Sequence, residues 1–531
     1  MPAPEQSEPQ IELNQQFQRA LDIMENTDGS IFVTGRAGTG KSTLLSYFRQ
    51  NTRKQIVVLA PTGVAALNVK GQTIHSFFRF KPSITLKLVR ALRSHDDEDS
   101  IYQNLDAIVI DEISMVRADL LDCVDKFLRL NGPSAGKPFG GIQMIFVGDL
   151  YQLPPVVAGS EKAVFNSFYQ TPYFYGAKVF DSFVMEFVEL EKIYRQHDEG
   201  FINLLNGIRN RSITDEGLAF LNQRYMPEFE PSLSDFYVHL TTTNQLAEQV
   251  NTRQLAKLKS KPYTFTGSID GDFGAEYLPT ATDLQVKAGA QIMMLNNDAE
   301  GRWVNGSIGK ITRVVQKKHE DDIIIAELAD GEEVEITPFV WEIYKFSVEK
   351  GQLQSEVVGT FRQYPLMLAW AVTIHKSQGK TFDRVIIDIG RGTFAHGQTY
   401  VALSRCTTLG GIILKKPIAK NHILTDYKVM DFLTKYQYKK AEQACSTIDK
   451  IKIIQNAIKS KTALRIVYLK PSDEKTRRTI KPLTVGEMEY NNKKYLGVRA
   501  FCLKRNEERT FRVDRILEME EANEAKQPGN M

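Results

Sequence analysis

A glycine-rich run at residues 35–42, Gly-Arg-Ala-Gly-Thr-Gly-Lys-Ser, constrains this chain most because it matches the pattern G-x-x-x-x-G-K-[ST]. That pattern forms a phosphate-binding loop only between a strand and a helix. Apolar residues 31–34 precede the run, and residues 43–48 follow it with a helical composition. Backbone N–H groups of such a loop surround phosphates at the positive end of a helix. The sequence therefore predicts an α/β domain that binds a nucleoside triphosphate.

The loop supplies the candidate nucleotide contacts Gly38, Thr39, Gly40, Lys41, Ser42 and Thr43. We expect Lys41 to reach the β- and γ-phosphates and the hydroxyl of Ser42 to bind Mg²⁺.

Two later strands end in polar residues suited to hydrolysis. Apolar residues 107–110 lead into Asp111 and Glu112, as in a Walker B site. Asp111 would hold Mg²⁺, and Glu112 would orient and deprotonate the attacking water. Apolar residues 143–147 are followed by Gln152, whose amide is placed to sense the γ-phosphate, and by two prolines that stiffen the loop behind it. These residues predict that the nucleotide is hydrolysed.

Charge and composition limit the classes of protein to which this chain can belong. The 531 residues carry a net charge of +3, but residues 411–515 hold 25 Lys and Arg against 11 Asp and Glu, a balance of +14, which leaves −11 elsewhere. This asymmetry fits either an anionic partner or a solvated lysine-rich surface. No apolar run is long enough to span a membrane, and the N-terminus lacks the features of a signal peptide. The four cysteines lack metal-ligand spacing. We expect an intracellular, cytoplasmic protein with reduced thiols.

The pattern of apolar runs predicts several domains. Residues 1–10 and 517–531 are expected to be disordered tails. Alternating strands and helices predict a parallel-sheet domain over 11–190, with a small insertion near 65–80, and a second one over 191–295 and 366–435. Short strands with an Asp-Gly turn predict a β-barrel insertion over 296–365. A basic α+β unit follows over 447–516.

Further motifs carry a resemblance to a family. Gly148-Asp-x-x-Gln152-Leu-Pro-Pro after Asp111-Glu-Ile-Ser-Met resembles superfamily-one DNA helicases of the petite-integration-frequency (Pif) type, with RecD-like helicases as relatives. The motifs agree in order over about residues 11–412. They include 60–66, 71–78, 190–196, 240–244, 371–381 and 400–405. The resemblance implies two RecA-like P-loop domains, with an SH3-like barrel inserted in the second.

The resemblance also implies roles for residues opposite the loop. Lys41, Arg195 and Arg405 would neutralise the transferring phosphoryl group, with both arginines supplied by the second domain. Gln378 and Gly379 would contact the nucleotide, which the resemblance implies to be ATP used with Mg²⁺. The family's adenine-reading glutamine falls on Phe17 here, between Gln16 and Gln18. We therefore expect hydrolysis more firmly than strict selection of adenine.

A DNA strand across both domains follows from the same resemblance. The expected contacts are Pro61, Thr62, Thr73, His75, Thr242, Asn244, His375 and Lys376. Hydroxyls, amides and one lysine suit backbone phosphates, which position a strand without reading its sequence. Phe77 and Phe78 fit either base stacking or core packing. The resemblance implies a monomeric motor in genome maintenance that moves 5′ to 3′ on single-stranded DNA and opens duplexes, forks or G-quadruplexes.

The basic C-terminal unit resembles a WYL domain at 457–458, 465–468, 478–482, 495–496 and 509–516, although Lys494 replaces the tryptophan that names it. Arg478, Arg499, Arg509 and Arg512 are its candidate anion contacts. Two alternatives to a helicase stay open: a nucleotide-switched regulatory protein that binds DNA, and a RecD-like subunit of a larger complex.

Overall fold

A computed structural model describes residues 13–92, 101–157, 159, 161–232, 235–349, 352–390, 392, 395–491 and 493–522. The chain divides into two compact units. The first comprises residues 1–205 and 214–424, and the second comprises residues 206–213 and 425–531. The expected tail at 1–10 lies outside the described residues.

The first RecA-like domain surrounds a six-stranded parallel sheet of order β3-β2-β4-β5-β1-β6. Its elements are α1 (Gln15–Asn26), β1 (Ile31–Gly35), α2 (Lys41–Asn51), β2 (Ile56–Ala60), α3 (Gly63–Asn68), β3 (Gln72–Thr73), α4 (Ile74–Phe77), β4 (Ala107–Ile110), α5 (Ala118–Asn131), β5 (Gln143–Val147), α6 (Lys162–Phe168) and β6 (Glu186–Leu190). The central strands β1, β4 and β5 are buried along their whole length, as expected for a parallel sheet covered on both faces. The predicted α/β domain is thus confirmed, and the residues near 65–80 form α3, the short edge strand β3 and α4.

The remainder of the first unit contains α7 (Glu199–Arg209), α8 (Asp215–Asn222), β7 (Val238–Thr241), α9 (Asn244–Lys257), β8 (Pro262–Thr266), β9 (Ser268–Gly271), β10 (Asp283–Lys287), β11 (Gln291–Met294), β12 (Ile308–Val315), β13 (Ile323–Leu328), β14 (Glu333–Ile336), β15 (Phe339–Glu349), β16 (Gln352–Gln363), β17 (Leu366–Leu368), β18 (Ala371–Thr373), β19 (Val385–Ile387), α10 (Gln398–Leu403) and β20 (Ile412–Leu414). Strands β18, β7, β19 and β20 form the parallel sheet of the second RecA-like domain. The last residues of α7, from Asn206 onward, belong to the second unit.

An antiparallel insertion interrupts this second domain. Five strands, in the order β14-β13-β12-β11-β17, share one core with the pair β10-β8. A long hairpin of β15 and β16 adds β9 and packs Trp341 and Phe361 with Ala66 of α3. The predicted start at residue 296 is wrong, because antiparallel pairing already begins at Pro262. The comparison of this insertion with an SH3-like barrel stays a prediction.

The second unit holds α11 (Tyr427–Ala444), α12 (Thr447–Ser460), β21 (Leu464–Leu469), β22 (Lys475–Tyr490), β23 (Lys493–Cys502), β24 (Glu507–Arg512) and β25 (Ile516–Glu521). Its strands form an antiparallel sheet of order β24-β23-β22-β21-β25. This unit begins at Thr425, so the expected end of the second RecA-like domain at 435 is too late. The expected tail from residue 517 is also wrong up to Glu521, because β25 pairs with β21. Residues 523–531 lie outside the described part.

Candidate nucleotide-hydrolysis site

The glycine-rich loop lies between β1 and α2, as its pattern predicts. Gly38 and Gly40 have φ values of 78° and 86°, which L side chains rarely adopt. The Nζ of Lys41 donates to the carbonyl oxygens of Gly35 at 2.8 Å and Arg36 at 3.0 Å. Ser42 and Thr43 are exposed in the first turn of α2. The loop therefore presents backbone N–H groups, an ammonium and two hydroxyls at a helix N-terminus, which suits phosphates.

Asp111 and Glu112 follow β4 directly. Asp111 Oδ1 accepts a hydrogen bond from the backbone N–H of Glu112 at 2.9 Å. Glu112 is in the left-handed region, with φ of 49° and ψ of 42°, which is strained for a residue with a side chain. Burial, together with the neighbouring charge of Asp111, raises the pKa of Glu112 to about 7. A carboxyl with a pKa near neutrality is suited to accept a proton from water.

The residues present also fit Mg²⁺. The Ser42 hydroxyl and the Asp111 carboxylate are hard oxygen donors, and the Asp111 carboxylate interacts with the charge of Lys41. Within the described ranges, no group of three or more His, Cys, Asp and Glu side chains is arranged to hold a metal. A hydroxyl and one carboxylate are sufficient for an ion that keeps waters and binds substrate phosphates.

Gln152 lies at the interface of the two RecA-like domains and contacts Asp149, whose charge acts on Glu112. It is buried, and its Nε2 donates to Asp149 Oδ2 at 3.3 Å. Its Oε1 accepts a long hydrogen bond of 3.5 Å from Nε2 of Gln378, which belongs to the second domain. Gly379 follows with a φ of 75° and open space where a Cβ would lie. The structure thus brings Gln152 and Gln378 together across the cleft.

The structure corrects the expected origin of Arg195. It lies between β6 and α7, in the segment that joins the two RecA-like domains, rather than within the second. A Cβ on Gly38 would lie 2.5 Å from the Cβ of Arg195, so this segment touches the phosphate-binding loop itself. Tyr194 N donates to Gly38 O at 2.8 Å, and Arg195 Nη1 donates to Ser404 O at 3.1 Å. Arg195 therefore contacts both domains.

Arg405 belongs to the second RecA-like domain and is 1% exposed. Its guanidinium donates to the carbonyl oxygens of Val401, Ser377 and Lys380 and to the hydroxyl of Ser404. Burial, with the positive charge of Arg195 beside it, lowers the pKa of Arg405 to about 9, while the charges of Glu112 and Asp149 raise it. Two desolvated guanidinium groups beside these acids form a site suited to an additional anion.

Two further residues of the cleft did not stand out as site residues in the sequence. Gly397 has a φ of 72°, and a Cβ there would lie 2.2 Å from the carbonyl oxygen of Tyr151. Only glycine fits this close approach between the domains. The hydroxyl of Tyr400 accepts a hydrogen bond from Ala37 N, in the phosphate-binding loop, at 3.0 Å. Gly397 lies outside the sequence motifs, and Tyr400 begins the motif at 400–405 without a predicted role, because both contacts join distant parts of the chain.

Most of the expected DNA contacts follow strands at the carboxyl edges of the two parallel sheets. Pro61 and Thr62 follow β2, and Thr62 is exposed while capping α3 through Ala65 N. In the second domain, Thr242 and the exposed Asn244 follow β7, and His375 and the exposed Lys376 follow the adjacent β18. Burial lowers the pKa of His375 and that of His75 in α4, which favours the neutral form of both imidazoles.

Thr73, Phe77 and Phe78 have structural partners. Thr73 is buried, and its hydroxyl accepts from Ser76 N at 3.1 Å and bonds to the hydroxyl of Tyr277 at 3.1 Å. Phe77 and Phe78 are 6% and 2% exposed and pack edge to face with each other. Tyr102 meets Phe77 edge to face and stacks on Phe78. Of the two readings of the phenylalanines, core packing is the one that the structure supports.

Phe17 is likewise a core residue. It is 2% exposed and packs with Leu44, Leu45 and Phe48 of α2. The hydroxyl of Tyr194 accepts from Nδ2 of Asn14 near this helix, at 3.2 Å.

In the second unit, three of the four expected anion contacts already have acidic partners. Arg499 pairs with Glu508, Arg509 with Glu507 and Arg512 with Asp514. Arg478 instead lines a polar cleft of about 430 Å³, and its Nη1 is buried without a hydrogen-bond partner among the described residues. The other lining residues are Lys470, Glu474, Lys475, Thr476, Arg477, Lys504 and Arg505. The basic residues of this cleft thus lie at the β21–β22 and β23–β24 turns and at the start of β22, rather than at the three paired arginines.

Comparisons with known proteins agree with this geometry. A family model described as PIF1-like helicase matches residues 10–217, and one described as WYL domain matches residues 449–521. The chain is 30% identical to the ATP-dependent DNA helicase Pif1 of Bdellovibrio bacteriovorus over 81% of this chain and 93% of that protein. It is 30% identical to the ATP-dependent DNA helicase PIF1 of Emericella nidulans over 76% of this chain, but it spans only 60% of that relative.

Solved structures extend the comparison. The Bacteroides sp Pif1 complex with ADP-AlF4 has 34% identity and a TM-score of 0.75, covering 81% of this chain and 98% of that one. Bacteroides Pif1 bound to single-stranded DNA, and a structure described as unwinding of forked DNA by two coordinating Pif1 helicases, share the same identity and coverage with TM-scores of 0.59. In the described part of the chain, no helix is both long and apolar enough to cross a membrane.

Proposed function

Because the chain belongs to the PIF1-like helicase family, we propose that it is an ATP-dependent DNA helicase that moves along single-stranded DNA from 5′ to 3′. The observation that carries this proposal is the pair of contacts across the cleft, from Gln378 to Gln152 at 3.5 Å and from Arg195 to Ser404 O at 3.1 Å, beside Glu112 and Arg405, whose charges interact. A base on one domain and a cation on the other allow ATP hydrolysis to change the contact between the domains.

The residues of the cleft divide the chemistry of hydrolysis. Lys41 would leave the carbonyl oxygens of its own loop and bind the β- and γ-phosphates. Glu112 accepts the proton of the attacking water, and Gln152 orients this water or the γ-phosphate. Arg195 and Arg405 stabilise the charge of the transferring phosphoryl group, a role worth about 10³–10⁵ in rate for such arginines. Mg²⁺, held by Ser42 and Asp111, would neutralise phosphate charge when bound.

DNA binding is proposed for the strand-end residues of both domains. Pro61, Thr62 and His75 would hold one part of the strand, and Thr242, Asn244, His375 and Lys376 the other. Thr73 would join them only after its bond to Tyr277 opens. The Bacteroides relatives bound to single-stranded and forked DNA support these substrates. Duplexes and G-quadruplexes, and a role in genome maintenance within the cytoplasm, belong to the same proposal.

A single copy of the chain supplies both Glu112 and Arg405, which supports a monomeric motor. The WYL-matched unit is proposed as a second contact for the DNA backbone through the cleft that Arg478 lines. Its lining carries six basic residues and one acidic residue, a balance that favours a polyanion.

ATPase assays with and without a single-stranded oligonucleotide, and unwinding of duplexes with a 5′ or a 3′ tail, test the proposal. We expect DNA to stimulate hydrolysis, the 5′-tailed duplex to be opened, and Lys41→Ala to abolish both activities. Hydrolysis without stimulation or unwinding would support the nucleotide-switched alternative. Unwinding only after addition of other subunits would support the RecD-like alternative, and preference for the 3′ tail would refute the direction.

A further inference from the structure

A loop of the insertion, between β11 and β12, reaches both RecA-like domains through Asn305. Asn305 Nδ2 donates to Oδ1 of Asn68, the last residue of α3, at 3.2 Å. Its Oδ1 accepts a hydrogen bond from Nζ of Lys380, in the loop that also carries Gln378. One amide side chain therefore joins the helix capped by Thr62 to a loop of the nucleotide site.

The loop that carries Asn305 is held by its own hydrogen bonds. Asn305 N donates to Asn297 Oδ1 at 2.8 Å, and Trp303 Nε1 donates to Asn296 Oδ1 at 3.0 Å. The guanidinium of Arg302 lies 4.8 Å from the centre of the Trp303 ring. Because these contacts tie Asn305 to the rest of its loop, a pull on its side chain acts on the whole loop instead of only rotating the side chain.

Lys380 is closely fitted to the same loop. Gly306 has a φ of 105°, and a Cβ there would lie 3.4 Å from the Cβ of Lys380. Burial lowers the pKa of Lys380 to about 8, so its ammonium has lost much of its hydration. A desolvated ammonium depends strongly on the few acceptors that it reaches.

The backbone of Lys380 reaches the arginine of the cleft. Arg405 Nη1 donates to the carbonyl oxygens of Ser377 at 3.3 Å and Lys380 at 3.4 Å. Lys380 N in turn donates to Ser377 O at 3.1 Å, which closes the turn. A displacement of Lys380 that includes its backbone therefore displaces an acceptor of the Arg405 guanidinium.

We propose that Asn305 and Lys380 form a positioning link that couples DNA contact at α3 to the placement of Arg405. The link rests on the proposed helicase function, which assigns DNA to α3 and the γ-phosphate to Arg405. When DNA shifts α3, Asn68 shifts Asn305, and Lys380 carries the change to the turn that holds Arg405. Such coupling requires an element that both ligands bias, and the loop at Asn305 touches both.

Variants of Asn305 in the full chain test the link. Asn305→Leu removes both hydrogen bonds at similar volume. Asn305→Asp keeps the acceptor for Lys380 and can accept from the amide of Asn68 after this amide rotates. We expect Asn305→Leu to reduce the ratio of ATPase rates with and without single-stranded DNA by about tenfold, within the range of known couplings. We expect Asn305→Asp to keep this ratio within about twofold of wild type.

Lys380→Met should reduce the ratio as Asn305→Leu does, and the double variant should show no further loss, since both changes break one link. Lys318→Met, at an exposed lysine of the same insertion, is the matched control. Equal loss in Asn305→Asp and Asn305→Leu, additive losses, or an unchanged ratio in Asn305→Leu would overturn the link. A wild-type chain that DNA does not stimulate would instead refute the helicase function, and the link with it.

Discussion

Replacement of Glu112 by glutamine should abolish hydrolysis while it stabilises the fold. The pKa of Glu112 is raised from 4.5 to about 7, chiefly by burial. Each pKa unit corresponds to about 1.4 kcal/mol, so ionisation of this carboxyl costs about 3 kcal/mol in the folded protein. Glutamine has nearly the same shape and bears no charge, and thus it removes this cost. It also removes the proposed general base, and such a base contributes about 10²–10⁴ to the rate.

The sign of the pH dependence follows from proton binding. Between pH 4.5 and 7 the folded state of the wild type holds more protons at Glu112 than the unfolded state does. Stability of the wild type therefore falls as the pH rises, and the variant lacks this loss. The stability gained by Glu112→Gln should increase from under about 1 kcal/mol at pH 5 to about 3 kcal/mol at pH 8.

Tryptophan fluorescence isolates the relevant transition. The three tryptophans of the chain, Trp303, Trp341 and Trp370, are all buried in the first unit. Urea unfolding followed by their emission at pH 5 and pH 8 measures the stability of the unit that holds Glu112. Glu248→Gln, at an exposed position on α9, is the matched control. A Glu112→Gln variant that hydrolyses ATP, or that gains nothing between pH 5 and pH 8, would refute the reasoning.

Three further changes probe the cleft and the second unit. Arg405→Lys keeps the positive charge but loses the planar set of N–H donors. The rate of single-turnover hydrolysis should therefore fall at least about 100-fold, while a fluorescent ATP analogue still binds. Loss of this binding would contradict the expectation. Gly397→Ala should lower the free energy of unfolding measured by tryptophan fluorescence by about 1–3 kcal/mol, because the added Cβ would meet the Tyr151 carbonyl oxygen. If the variant were as stable as the wild type, the domains would not approach so closely. Asp473→Ala should destabilise the second unit by about 3–5 kcal/mol, because it removes the acidic partner of buried Arg209. Limited proteolysis should then cut within 425–522, while the unfolding transition seen by tryptophan fluorescence is unchanged. Resistance to proteolysis equal to that of the wild type would contradict the last expectation.

The candidate site residues that the sequence could predict are those that follow the end of a strand. Lys41, Glu112 and Gln152 each follow an apolar run, and parallel strands bring their carboxyl ends to one edge of a sheet. Gly397 and Tyr400 could not be assigned this way. Their roles depend on contacts with Tyr151 and Ala37, and such distances arise only when two domains pack.

The C-terminal strands show a different limit. Residues 517–521 read as part of an acidic tail because alternating Glu and apolar residues give a weak strand signal at the end of a chain. Pairing with β21 supplies the hydrogen bonds that make this segment a strand. Likewise, Arg499, Arg509 and Arg512 looked available for anions until packing placed an acid beside each of them. Local charge counts do not show which charges are already neutralised.

The short segment 191–198 has a consequence for how the first unit can move. It is the stretch of chain between the last strand of the first sheet and α7, and its Tyr194 and Arg195 already touch the phosphate-binding loop and Ser404. A hinge elsewhere would let the angle between the domains vary while the nucleotide contacts stayed intact. With the role proposed for Arg195, the segment that joins the domains and the residue that senses the phosphate would be the same few residues. The angle between the domains and the state of the nucleotide would then change together.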